Sequence, residues 1–167
     1  MHSHPTGALF LFDFAAAFPS LNHQYMWSLL NHIGVPSNFI KASQLLYKDN
    51  THQLKLGAEL FPSVTLRPGD RPGCPMSPTL FVLCIDILLD KPARNLPTSS
   101  TLRAFADDIG LTVLNRQESI PILAQIFSKF AQYPSLHLNL HKTQLIPFSS
   151  ISAQDMQAIR NSSWDGM

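Results

Sequence analysis

Three carboxylates in this 167-residue chain stand where apolar strands end. Asp13 follows Leu9-Phe10-Leu11-Phe12, and Asp107 and Asp108 follow Leu102-Arg103-Ala104-Phe105-Ala106. An ionised carboxylate at a buried strand end is costly unless it is paired with a cation or bound to a metal. Arg103 is the only close cation, and it cannot pair all three. Unpaired carboxylates clustered on adjacent strands are what a two-metal site requires. In such a site two magnesium ions, roughly 3.5–4 Å apart, activate an attacking hydroxyl and steady a leaving pyrophosphate. Magnesium takes hard oxygen ligands from a few carboxylates and from substrate phosphates. The spacing alone leaves a second reading open, because an Asp-Asp pair in a tight turn is also ordinary turn chemistry.

The elements that must hold these residues follow from apolar patterning and from breakers. Ala8 to Phe12 is a continuous apolar run, read as a strand buried on both faces. Ser20 or Asn22 caps a helix that runs to His32 and stops at Gly34, and Ser37 opens a second helix. Gln53–Leu56 and Leu60–Leu66 read as strands joined by Gly57-Ala58-Glu59. Pro68 to Pro78 is a loop of fixed shape, and Ser77-Pro78 starts a helix to Leu89 that is apolar nearly all round and therefore central. Leu102–Ala106 and Ile109–Leu114 form a hairpin with Asp107 and Asp108 at its tip. Ser119 to Tyr133 has helical periodicity, and Leu138 to Phe148 returns as a strand containing Lys142. This order predicts an α+β fold, an antiparallel sheet with helices packed on one face.

Four segments give the pattern a family. FDFAAAF (Phe12 to Phe18) resembles the first catalytic motif of reverse transcriptases of non-long-terminal-repeat retrotransposons. RPGCPMSPTLF (Arg71 to Phe81) resembles their glycine-proline loop and helix, FADD (Phe105 to Asp108) their paired-aspartate hairpin, and SLHLNLHKTQLI (Ser135 to Ile146) the lysine-bearing motif that follows. The four occur in the family's order and cover nearly the whole chain. The resemblance implies the palm of an RNA-directed DNA polymerase, with 1–167 a partial domain whose fingers and thumb belong to a longer product. It implies two Mg2+ ions, with Mn2+ as a substitute, on Asp13, Asp107 and Asp108. It implies an RNA template, a DNA primer and dNTP as partners, with Phe14, Phe18, Gly73 and Lys142 around the nucleotide. Phe18 would exclude a ribose 2′-hydroxyl, Gly73 would let the backbone approach closely, and Lys142 would lie near the triphosphate and protonate the leaving pyrophosphate.

The sequence also departs from the family. Pro72 stands where a glutamine usually contacts the incoming nucleotide, and it brings neither a backbone donor nor a polar side chain. Pro19 replaces an acidic residue, and Ala15, Ala16 and Ala17 fill a stretch where a lysine is common. A non-catalytic fragment or decayed remnant of such an element is the alternative that these departures keep open. Composition adds weight to incompleteness: with 12 basic and 11 acidic residues the net charge is +1, so most of any basic grip on phosphates must lie elsewhere. Cys74 and Cys84 have no zinc spacing and read as buried thiols. No signal-peptide pattern is evident in the sequence and no apolar run is long enough to span a bilayer, so an intracellular protein, nuclear or cytoplasmic, with no membrane partner is expected.

Overall fold

The computed structural model describes residues 6–48, 51–65, 69, 74–133, 136–162 and 164, with the backbone alone for 51–54 and 62–65. The first apolar run is β1 (Ala8–Phe12), and its side chains alternate: Ala8, Phe10 and Phe12 are buried, while Leu9 and Leu11 turn to the other face. Only one face is covered, so the strand is not buried on both sides as its composition suggested. Next come a single turn of helix, α1 (Ala17–Ser20), then α2 (His23–His32) and α3 (Ser37–Tyr47). Asn22 caps α2 by accepting the Tyr25 N–H at 3.1 Å, and Gly34 ends it at a φ of 83°. A separate two-stranded ribbon follows, β2 (Thr51–Leu56) and β3 (Glu59–Thr65), closed by the two residues Gly57 and Ala58. The sequence had suggested a three-residue loop there.

Helix α4 (Ser77–Asn95) outruns its expected end at Leu89 by passing through Pro92, and Met76 rather than Ser77 is its N-cap. It is not enclosed all round. Leu80, Phe81, Cys84, Ile85 and Leu88 are buried, whereas Val82 and Ile87 face outwards. The paired-aspartate hairpin is β4 (Thr101–Phe105) and β5 (Asp108–Val113), and α5 (Arg116–Ala131) begins three residues before its expected start because Asn115 caps it. The returning strand is shorter than read: β6 is Gln144–Pro147 alone. Upstream of it, Asn139 O accepts the N–H groups of Lys142 and Thr143 at 3.0 and 2.8 Å, so Lys142 sits in a turn.

The other four strands form one antiparallel sheet in the order β4-β5-β1-β6. Phe10 lies opposite Leu111, and Phe12 opposite Ile109, so the buried residues of β1 and β5 share one face. Helices cover that face. Phe12, Phe127 of α5 and Trp164 pack ring against ring at 4.6–6.1 Å, with Phe10 beside them.

A last helix, α6 (Ala153–Arg160), was not foreseen. It starts with a capping box, in which Ser152 Oγ accepts the Asp155 N–H and Asp155 Oδ2 accepts the Ser152 N–H at 2.7 Å. Asp155 also binds the buried Arg116, whose Nη2 donates to Oδ2 at 2.6 Å. Arg116 donates further to Gly7 O, Ser149 Oγ and Ser150 O, so one guanidinium ties the start of β1, the chain after β6 and α6 to the head of α5. This guanidinium, assisted by Ser152, holds the Asp155 carboxyl well below the usual carboxylate range.

Candidate active site

The antiparallel register collects the acidic residues at one end of the sheet. Phe105 pairs with Asp108, which leaves Ala106 and Asp107 as the two-residue turn of the β4–β5 hairpin. Asp107 therefore occupies the tip, while Asp108 is the first residue of β5, a correction to the reading that put both at the tip. Phe12 is the last residue of β1 in register, opposite Ile109. Continued one step beyond this last pair, the same register brings Asp13 to the position across from Asp108. Alternation carries on past β1, since Phe14 is buried and bridges Leu138. Asp13 consequently shares the open face with Leu9 and Leu11, and Asp108 shares it too, between the turn and buried Ile109.

Backbone hydrogen bonds fix Asp13 from the β6 side. Its carbonyl accepts the Asn139 N–H at 2.8 Å, and its own N–H donates to Thr143 Oγ1 at 3.4 Å. The turn bearing exposed Lys142 thus flanks Asp13 on the side away from Asp108. Asp13, Asp107, Asp108 and Lys142 all lie at the same end of the sheet. Strain accompanies them. Ala106 and Ala16 hold left-handed backbone at φ of 53° and 50°, one before Asp107 and one three residues after Asp13. Each such residue costs about 1–2 kcal/mol, and strain of this kind concentrates where geometry serves function. Neither position carries the glycine that would have signalled it in the sequence.

The remaining expected residues divide. The Phe14 ring is 6% exposed and packs toward Phe127 at 6.2 Å, so it belongs to the core and does not share the open face with Asp13, a correction to its expected place around the nucleotide. Its burial follows from the alternation that turns Asp13 outwards. Phe18, half-buried on α1, stacks on Phe81 of α4 at 4.5 Å, which fixes its ring between the first motif and the helix of the second. Gly73 and Pro72 lie outside the described residues. Among residues not singled out before, Phe105 is 84% exposed on the open face opposite Asp108. A large ring so exposed beside two carboxylates is unexpected for a hydrophobic side chain. Of the two thiols, Cys84 is buried as expected, but Cys74 is half-buried. Hydrogen bonding from the Met76 backbone holds the Cys74 thiol below its usual pKa.

The donor set is of the right kind for magnesium. Among the described residues, the ion pairs are Arg94–Asp90 and Arg116–Asp155, and neither engages Asp13, Asp107 or Asp108. No three His, Cys, Asp or Glu among the described residues are gathered into a ready-made metal cluster. Magnesium does not need one, because it is commonly held by one or two carboxylates with water and substrate phosphates completing the shell.

Comparison with known proteins identifies the family and the fold. The profile of the family described as reverse transcriptase (RNA-dependent DNA polymerase) matches residues 3–155. A curated relative, the retrovirus-related Pol polyprotein from type-2 retrotransposable element R2DM of Drosophila melanogaster, is 29% identical over 143 residues. That match covers 78% of this chain and 13% of the relative, in keeping with the retrotransposon resemblance of the four motifs. Solved structures of telomerase from Candida tropicalis share the fold. One, in complex with a fragment of telomeric RNA, has a TM-score of 0.70 at 14% identity and covers 89% of this chain and 27% of that one. Another, an apo form truncated from the C-terminal domain, has a TM-score of 0.69 at 16% identity and covers 89% and 32%. With the family profile spanning nearly its whole length, this chain belongs to the reverse transcriptase (RNA-dependent DNA polymerase) family.

Proposed function

We propose that this chain is the catalytic palm region of an RNA-directed DNA polymerase from a retrotransposon-like element, which adds deoxynucleotides to a primer 3′ end within a longer product. One observation carries the reading: the register that sets Asp13 across from Asp108, beside Asp107, on the open face of the sheet and without a cation partner among the described residues. Asp13 and Asp107 would be the main ligands of two Mg2+ ions, with Mn2+ as a substitute, and Asp108 would assist. Bound there, the metal would polarise phosphate oxygens and favour the ionised primer hydroxyl.

The chain's own residues do the rest. The hairpin and the Asn139 and Thr143 hydrogen bonds fix the backbone that carries the carboxylates before substrate arrives, which would leave less reorganisation for the reaction itself. Phe105 offers an exposed ring for the terminal nucleotides of primer and template. Phe18, braced by Phe81, would fill the space that a 2′-hydroxyl needs. Lys142, exposed at the neighbouring turn, would meet the triphosphate and hand a proton to the leaving pyrophosphate.

Primer extension on an RNA template with dNTP, in magnesium and then in manganese, tests this. Folded parent protein extends the primer, and Asp107→Ala, with an unchanged circular dichroism spectrum, loses at least about 100-fold. Loss of groups one shell further from a metal already costs about 10–100-fold. Equal extension by parent and variant would refute the assignment.

A further inference from the structure

On the helical side of the molecule, away from the open face of the sheet, α4 and α5 leave a groove of about 400 Å³ between them, closed at one edge by Tyr25 of α2. Its floor is apolar, with Leu88 of α4 and Ile122, Ile126 and Phe130 of α5. The α5 residues recur at i, i+4 and i+8 and are only half-buried, so a ridge of the kind that normally packs against another helix has no helix over it among the described residues. Ile87 and Tyr133 complete the apolar wall at 37% and 68% exposure. From Ile122 to Phe130 the stripe rises about 12 Å along the helix, the length of a short helical segment. The charged residues at its rim are both cations, Lys91 on α4 and Lys129 on α5, and both are exposed. Neither has an ion-pair partner among the described residues. The acids of α4, Asp86 and Asp90, line the next face of that helix, which Lys91 also borders; there Asp90 is taken up by Arg94 at 2.6 Å, and Lys91 forms no ion pair with either acid.

An apolar channel with an uncompensated lysine on each bank has a definite complement. We infer that this groove docks an acidic amphipathic helix of a partner protein, its apolar anchors on Ile122, Ile126 and Phe130 and its carboxylates against Lys91 and Lys129. Helix-in-groove recognition uses anchors at i, i+3 or i+4 and i+7, which the stripe on α5 can receive. A nucleic acid is the poorer complement, since it calls for a continuous basic track and not two cations across an apolar floor. The inference is independent of the catalytic reading.

The test uses fluorescein-labelled synthetic peptides of about 16 residues, long enough to form a marginal helix. One has leucines at the anchor spacing flanked by glutamates, and its twin has lysines in place of the glutamates. By fluorescence anisotropy with the full chain, the acidic peptide should bind about tenfold tighter than the twin, the sum of two exposed charge pairs. The Lys91→Glu, Lys129→Glu double variant, with a native circular dichroism spectrum, should reverse that order. Tyr133→Ala, at an exposed position, should weaken the acidic peptide several-fold. Equal affinities that the double variant leaves unchanged would overturn the inference. So would displacement of the peptide by a single-stranded RNA oligonucleotide, or sedimentation showing a dimer that Tyr133→Ala dissociates, which would assign the groove to a second copy.

Discussion

Asp13 and Phe14 show how one residue of alternation separates chemistry from core. The same zigzag that buries Phe14 against Phe127 presents Asp13 to the open face, so the two neighbours in one motif have opposite fates. Phe18 is the more informative aromatic. Its stack on Phe81 gives it two duties, bracing α1 on α4 and, in the proposed reading, excluding ribose. Phe18→Ala should therefore lower stability by about 1–2 kcal/mol, the loss of a half-buried ring and its aromatic pair. It should also admit ribonucleotides. Denaturant unfolding reads the first effect and competitive incorporation of ribo- and deoxynucleotides the second. Lost stability with unaltered sugar selectivity would leave Phe18 a packing residue only.

At the scale of elements, patterning alone revealed most of the sheet and helices, because the strands beside the aspartates and the periodicity of α5 are strong local signals. The shortfalls have physical causes. The sequence pattern places Lys142 in a strand, since nothing local reveals that Asn139 O closes a turn before β6. Helix α4 extends past its expected end at Leu89, where the apolar pattern weakens, and carries the buried Pro92 within its last turns. Helix α6 was missed although Ser152 and Asp155 have capping-box spacing, and the reason is that its anchor, Arg116, lies far away in sequence. That anchor makes a sharp prediction. Arg116 and Asp155 are each almost fully buried, so removing one partner strands the other, at a cost of about 3–5 kcal/mol for Asp155→Ala. The sign with pH follows from the depressed Asp155 pKa. Its contribution is fully present above the unfolded value, near 3.9, and drains away as pH falls below that toward the folded value. Thermal unfolding from pH 7 down to pH 2 should show the parent losing stability below about pH 4. Asp155→Asn should show a flatter profile there. Identical profiles would mean that the pair is electrostatically idle.

The whole molecule is close to neutral, with a net charge of +1, and its open sheet face is largely apolar around Leu11, Ile146 and Phe148. The chain also spans only 13% of the length of the curated relative that it matches. Template and primer would then be met here by packing more than by phosphate contacts. With Arg103 on β4 and Lys142 in the turn before β6 as the cations on the strands and turns that carry the site among the described residues, log K for a primer–template duplex should fall with log salt at a slope of only about −2. A slope several times steeper would reveal a basic surface that this account lacks. The central claim, that the ends of β1 and the β4–β5 hairpin form a divalent-metal site, is tested most directly by titrating manganese into isotope-labelled protein with dNTP and following paramagnetic broadening of the amide signals. Broadening should centre on Phe12–Phe14 and Ala106–Asp108 and disappear in the Asp13→Asn, Asp107→Asn double variant. Broadening centred elsewhere, or unchanged in that variant, would contradict it.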